Sequence, residues 1–223
     1  MRKRGRAVLL CGHGRATIAA IARELARTEV PLLLQAAPAD RAAARRLASA
    51  VTRTGTVITL VEGALGGDKQ SERLLTAAWE AARAIETVVI CVRAPASHAA
   101  TELDLEGWQR GVAAGLRAPF FLATHAARRL GRAGGGRLIV AIDAPARTAG
   151  PVAAVVRSGL LCMVDGLTKG VPKSVVVNAV VHSRAGAAHD TAAEIARGVG
   201  FFVAGEAHPS GSVLELGVPA HRG

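Results

Sequence analysis

The residues best suited to bind a ligand form a short turn near the start of the chain, Gly12-His13-Gly14-Arg15. An apolar run precedes this turn, and a segment with apolar residues at helical spacing follows it. Amide groups at the beginning of a helix attract anions, and glycine lets a ligand approach the backbone closely. The sequence therefore predicts Gly12, Gly14 and Arg15 as candidate phosphate-binding residues, with a plain structural turn as the alternative.

Acid–base chemistry has few other candidates. His182, His189 and Asp190 lie near one another in the sequence, and Arg157 lies in an apolar segment where a buried cation would need a partner. The acidic residues nearest to Arg157 in the chain are Asp143 and Asp165. No Ser/His/Asp order, HExxH motif or carboxylate pair has persuasive spacing, so scattered surface histidines are the competing interpretation.

The three cysteines and the absence of tyrosine limit the possible chemistry further. Cys11, Cys91 and Cys162 have no metal-ligand spacing, and each lies in an apolar segment. We expect three buried free thiols, no disulfide and no metal site. The chain contains no tyrosine, so no phenol is available as a proton donor.

Alternating strands and helices must position these residues. Apolar runs predict strands at 6–11, 30–35, 56–61, 87–92 and 138–142, while helical spacing predicts helices at 16–27, 41–52, 71–85 and 153–169. Asp40 is expected to cap the second helix. A length of 223 residues suits one domain, 1–223, with a basic tail at 1–5 and a C-terminal tail at 218–223.

The strand, loop and long apolar helix from Arg137 to Lys169 resemble the active-site half of the short-chain dehydrogenase/reductase family, and SVVVNAVV at 174–181 resembles a later strand of that family. The resemblance runs from Arg6 to about Gly217 and is greatest to 3-oxoacyl-thioester reductases. It further implies helices at 104–130 and 192–204, a strand at 174–181 and a final strand at 210–217. It implies an α/β fold, a single-domain Rossmann-like doubly wound parallel sheet of about seven strands with helices on both faces.

The same resemblance implies that the family's functional residues are missing here. Its catalytic Asn, Ser, Tyr and Lys correspond to Gly115, Ala144, Arg157 and Leu161. Its GxxxGxG turn begins at Gly12 but continues with Ala16 and Ile18, its Asn-Asn-Ala-Gly run corresponds to residues 90–93, and its substrate-covering lid shrinks to HSRAGAAHD at 182–190. We therefore expect no catalytic residue of the family and no cofactor, because Ile18 disfavours NAD(P) binding in the usual pose.

The resemblance also suggests why such a chain would be kept. Members of the family assemble through two long helices, which correspond here to 104–130 and 153–169, and through the last helix and strand. The first hypothesis is a non-catalytic subunit that joins an active homologue acting on acyl-coenzyme A or acyl-carrier-protein thioesters. The alternatives are a regulatory module that binds a nucleotide or acyl ligand in a modified pocket, and an NAD(P)-dependent oxidoreductase of atypical mechanism that uses Arg157 or His182.

Charge and hydropathy restrict the partners and the location. The formal net charge of +11 favours an acidic partner such as a carrier protein. The basic residues are dispersed and lack interleaved aromatic residues, which argues against nucleic acid. The N-terminal apolar run is too short for a signal peptide, and no run of roughly 18 uninterrupted apolar residues indicates a membrane span, so a cytoplasmic protein is expected.

Overall fold

A computed structural model describes residues 7–94, 100–143, 150–183, 191–205 and 208–217. The two predicted tails, 1–5 and 218–223, lie outside the described residues. So do Ala144, His189 and Asp190.

Seven parallel strands form one sheet, in the order β3-β2-β1-β4-β5-β6-β7. The strands are β1 Ala7–Gly12, β2 Leu32–Ala36, β3 Ile58–Glu62, β4 Ile85–Arg93, β5 Gly136–Asp143, β6 Val175–His182 and β7 Val213–Leu216. From β1 to β3 the strands follow one another toward one edge of the sheet, and from β4 to β7 toward the other. Between β1 and β4, where the direction changes, a doubly wound sheet opens a crevice at its carboxyl edge. The predicted fold class is confirmed.

Helices cover both faces of this sheet. They are α1 Arg15–Ala26, α2 Arg41–Thr52, α3 Asp68–Ala81, α4 Leu105–Val112, α5 Ala118–Arg132, α6 Pro151–Gly170 and α7 Thr191–Ala204. Helices α3, α5 and α6 contribute to the apolar core on one face, and α1, α2 and α7 contribute to the core on the other. The strands between these layers are buried on both faces, which explains why they read as continuous apolar runs.

The long helix predicted at 104–130 is broken by a wider turn. Residues Ala113–Arg117 form one π-helical turn between α4 and α5, in which the Ala118 amide donates to the carbonyl of Ala113. Pro119 follows at once and has no amide hydrogen to continue the regular pattern. The helix predicted at 71–85 also ends early, at Ala81, because Ile85 already begins β4.

Two side-chain predictions were wrong. The sequence predicts Phe120, Phe121 and Leu122 on the inward side of the helix at 104–130, yet Phe120 is 45% exposed, while Leu122 is buried. Cys162 is exposed, whereas Cys11 and Cys91 are buried. Both errors concern apolar residues on the outer surface of a helix that is otherwise rich in apolar residues.

Of the described helices, only α6 is long and apolar enough to cross a membrane. Its side chains at Val156, Leu160 and Val164 are fully buried in the core that lies against the sheet. Packing in the domain accounts for part of its apolar character, since 33% of its most apolar stretch is buried.

Candidate functional site

The turn after β1 is fixed by two glycines. At Gly12 the backbone has φ +130°, and a Cβ there would lie 2.0 Å from the carbonyl oxygen of Cys91. Gly14 has φ +96° and precedes the first residue of α1. Side chains are disfavoured at both backbone angles, so these glycines are needed for the turn itself whether or not a ligand binds.

Neighbouring loops hold this turn in place. The amide of His13 donates to the Cys91 carbonyl at 2.8 Å. The buried side chain of Gln35 donates to the carbonyl of Gly63 at 2.7 Å and accepts from the amide of Gly12 at 3.4 Å. Gln35 thus ties together the carboxyl ends of β1, β2 and β3, a structural role that its position at the end of a strand did not reveal.

Arg15 does not point freely toward a ligand. Its Nε donates to the Asp40 carboxylate at 2.8 Å, and 74% of the arginine side chain is exposed. The predicted capping of α2 by Asp40 is wrong, because the Asp40 side chain makes no capping hydrogen bond. Partial burial lowers the pKa of His13, which lies beside this pair, and Asp40 opposes part of that shift.

The turn has a backbone that suits a phosphate on one side and a closed crevice on the other. The Gly12–Gly14 backbone and the beginning of α1 suit a phosphate. On the α5 side of β1, however, Leu65, Ile90, Pro119 and Leu122 line a crevice that leaves no space for a water molecule.

The residue at the first of the four family positions supports helix packing. Gly115 lies in the π turn, and a Cβ there would come within 2.8 Å and 2.9 Å of the two Val156 methyl groups. Gly159 on α6 has a reciprocal contact, since its Cβ would lie 2.9 Å from the Leu116 methyl groups. These two glycines allow close approach of α6 to the π turn between α4 and α5.

Arg157 binds residues at the other edge of the sheet. One of its terminal nitrogens, Nη2, donates to the Glu215 carboxylate at 2.6 Å and to the Ser183 hydroxyl at 3.1 Å, and Ser183 also donates to Glu215. The acidic residues nearest in sequence, Asp143 and Asp165, are therefore not the partners of Arg157. The Arg157 Nε is buried and has no hydrogen-bond partner among the described residues.

Leu161 and Ala144, which correspond to the family's catalytic Lys and Ser, add no charged group to the cluster of Arg157, Ser183 and Glu215. Leu161 is partly buried and packs against the core on its face of the sheet. Ala144 lies outside the described residues, so its place in the site stays a prediction.

His182 lies on the opposite face from Arg157. Its Nε2 is 3.2 Å from the Glu194 carboxylate on α7, and its side chain is only 2% exposed. Arg157 comes from α6, on the other side of the sheet, so the two residues do not form one site. Within the described part of the chain, no group of three or more His, Cys, Asp and Glu residues could hold a metal ion.

Sequence reasoning missed the partners rather than the central residues. Glu215 is 58 positions from Arg157, and Glu194 pairs with His182 only because α7 returns over β6. Each contact depends on the positions of neighbouring elements in the sheet, for which the local sequence carries no signal.

Comparison with known proteins places the fold. No family model and no curated protein matches the chain. Solved structures match over nearly the whole chain. A short-chain dehydrogenase/reductase from Serratia marcescens BCRC 10948 is 23% identical with a TM-score of 0.79, and the match covers 95% of this chain and 96% of that one.

Two further structures agree with this match. A dehydrogenase/reductase from Sinorhizobium meliloti 1021 is 19% identical with a TM-score of 0.77, over 94% and 92% of the two chains. The NADH-dependent reductase A1-R′, complexed with NAD, is 20% identical with a TM-score of 0.77, over 95% and 94%.

The chain therefore has the short-chain dehydrogenase/reductase fold. At these identities the likeness shows the fold alone, and the similarity to 3-oxoacyl-thioester reductases stays a prediction. The expectation that no cofactor binds is not confirmed, since one of these structural neighbours holds NAD.

Proposed function

We propose that this chain works in an NAD(P)-dependent oxidoreductase in which no tyrosine of its own transfers the proton. The observation that carries the proposal is a reductase fold over about 95% of the chain together with the complete absence of tyrosine. A positioned acid–base group commonly contributes a factor of about 10²–10⁴ to the rate. The proton donor must then come from a partner subunit or from another residue of this chain.

A partner subunit is the version that the geometry favours. Arg157 and His182, the two residues considered as replacements, are each bound by a carboxylate, and they lie on opposite faces of the sheet. Gly115 and Leu161 supply packing where the related enzymes would carry functional groups. The chain then serves as the non-catalytic subunit of a heteromer, whose active homologue binds the cofactor and reduces an acyl-thioester.

Exposed apolar side chains support assembly. Of the seven large apolar side chains that are exposed among the described residues, six lie on elements through which this fold commonly assembles: Leu105, Trp108, Phe120 and Val155 on α4–α6, and Phe201 and Val213 on α7 and β7. Apolar groups of this size on a surface mark interaction sites when they cluster. The positive charge of the chain would then suit an acidic substrate carrier.

An oxidoreductase of atypical mechanism is the second candidate. The comparisons favour this alternative, because the structural neighbours are described as reductases and dehydrogenases and one of them holds NAD. The Gly12–Gly14 turn, which suits a phosphate, is the feature of this chain that supports it. In this version the purified chain alone oxidises NADH or NADPH.

The deciding experiment measures NADH and NADPH oxidation with a 3-oxoacyl-coenzyme A substrate. We would compare the purified chain alone, an intact short-chain reductase from the same genome alone, and the two co-expressed and co-purified. We expect no rate above the blank for this chain alone, and activity in a stable complex.

Substitutions in the two chains distinguish the heteromer from the atypical enzyme. In the complex, replacing the homologue's catalytic tyrosine by Phe should abolish turnover, whereas Arg157→Met in this chain should leave the rate within about twofold. Turnover by this chain alone that is lost in Arg157→Met or His182→Gln would instead establish the atypical enzyme. Absence of both turnover and complex formation would contradict the whole proposal.

A further inference from the structure

A groove of about 510 Å³ runs between α1 and α2, from the carboxyl ends of β1 and β2 down to Ala50. Small side chains open it, because four of the residues facing the space between the helices are alanines: Ala19, Ala43, Ala44 and Ala50. Leu34, Ile18 and Leu47 add larger apolar surface. Its volume lies within the range of about 300–1,000 Å³ that is usual for small-molecule sites.

The charged groups along the groove are mostly cationic. Arg15, Arg23 and Arg46 line it, against a single acidic lining residue, Asp40. Asp40 is already paired with Arg15. Arg23 and Arg46 are exposed and form no ion pair with a described residue, so their guanidinium groups are available to an anion.

The lining also indicates what kind of anion would fit. His13, at the end of the groove beside the glycine turn, is the only aromatic side chain among the lining residues, so the part of the groove between the helices offers a nucleotide base nothing on which to stack. Aliphatic walls favour an alkyl chain, whose burial tightens binding by about fourfold for each methylene group that is fully removed from water. Apolar walls beside unpaired arginines match a molecule with an alkyl tail and an anionic head.

We propose that the α1–α2 groove binds a medium-chain fatty-acyl carboxylate, with its alkyl chain between the helices and its carboxylate near Arg23 and Arg46. This site goes beyond the proposed oxidoreductase function and does not depend on it. It begins at the Gly12–Arg15 turn, which also borders the crevice beside α5, and extends along the outer side of α1 and α2.

Calorimetric titration of the full chain with decanoate, in about 0.15 M salt, tests the site. We expect binding that weakens at least tenfold for hexanoate, because four methylene groups are lost, and at least fivefold for decanol, because the charge is lost. The proposal would be overturned if titration with decanoate up to about 1 mM, a concentration that would still reveal weak binding, gave no heat.

Matched variants locate the ligand. Arg46→Glu should weaken decanoate binding at least tenfold, and Arg45→Glu, at an exposed neighbour outside the groove, should change it less than twofold. Likewise, Ala43→Leu should fill the groove and weaken binding, while Ala42→Leu on the exposed side of α2 should not. Circular dichroism and thermal unfolding would verify that each variant is folded.

Three outcomes would overturn this assignment. Equal weakening by Arg45→Glu and Arg46→Glu would show attraction by the general positive field alone. Unchanged binding in Ala43→Leu would place the ligand elsewhere. Displacement of decanoate by NADP⁺ or AMP at similar concentration would assign the groove to a nucleotide. None of these results depends on reductase turnover, so failure here and failure of the proposed function are distinguishable.

Discussion

Arg157 illustrates how a single cation can stabilise the edge of the sheet instead of serving a cleft. Its guanidinium group joins α6 to the end of β6 through Ser183 and to β7 through Glu215. Strand β7 has only four residues and pairs with β6 alone, so this ion pair adds a side-chain link from α6 to the backbone hydrogen bonds that hold the edge strand.

Removing this cation should therefore cost stability. We expect Arg157→Met to lower the free energy of unfolding by about 1–2 kcal/mol, because a partly buried charged hydrogen bond is lost while Glu215 can still be hydrated. Urea denaturation measures the change. The control is Lys169→Met, which breaks an exposed ion pair with Asp165 and should cost less than about 0.5 kcal/mol. A loss for Arg157→Met no larger than that of the control would contradict this role.

The three thiols differ enough to be distinguished chemically. Burial raises the pKa of Cys11 to about 12 and raises the pKa of Cys91 well above its ordinary value, so neither forms a reactive thiolate near neutral pH. Cys162 is exposed on α6. A thiol reagent at pH 8 should therefore modify one cysteine in the folded protein and three in guanidinium chloride.

A single variant tests the assignment of the reactive thiol. Cys162→Ser should leave no rapidly reacting thiol in the folded protein, as measured by absorbance of the released product. Rapid reaction that persists in this variant would mean that a buried cysteine is accessible.

At the scale of elements, the π turn and its glycine set how closely α6 approaches the α4–α5 helix. Any side chain at position 115 must displace the Val156 methyl groups, because the distances of 2.8 Å and 2.9 Å are too short for carbon atoms in contact. Overpacking of this kind typically costs about 1–3 kcal/mol.

Gly115→Ala should lower the free energy of unfolding by that amount, about 1–3 kcal/mol. Gly166→Ala is the matched control, because its Cβ would meet nothing within 4 Å, and it should raise stability by about 0.5–1 kcal/mol. In a Val156→Ala background, Gly115→Ala should cost much less than in the parent chain. Equal costs in both backgrounds would show that contact with Val156 is not the cause.

The sequence was a good guide to the elements and a poor guide to their contacts. Continuous apolar runs predicted the first five strands to within about two residues, because a strand covered on both faces has no polar side to obscure it. The same uniformity hid the exposed side of the helices, so Phe120 and Cys162 were placed wrongly. At the candidate site, the glycine turn was predictable from its position after a strand, whereas Gln35, Ser183 and Glu215 act through neighbours that only the sheet order brings together.

For the whole molecule, the distribution of exposed apolar side chains predicts two separate assembly surfaces. Phe120 lies on α5 and Phe201 on α7, and these helices cover opposite faces of the sheet. An assembly that uses both surfaces contains at least four chains.

We expect Phe120→Asp and Phe201→Asp each to reduce the assembled mass to half, and the double variant to be a monomer. Size-exclusion chromatography with light scattering measures the masses. Val57→Asp is the control, since Val57 is 65% exposed but belongs to neither surface, and it should leave the mass unchanged. The prediction would be contradicted if the parent protein were a monomer both alone and when mixed with its homologue. Equal disruption by all three variants would also contradict it.

The pairing of the first helix with the last has a consequence for synthesis on the ribosome. Helix α1 packs against α7, where Gly200 brings the two so close that a Cβ there would lie 3.2 Å from the Glu24 side chain. Strand β1 likewise completes its pairing only when β4 has been made. Helix α1 therefore stays without its final neighbour until α7, Thr191–Ala204, has been translated, and a message truncated before Thr191 should yield a product that needs chaperones or is degraded.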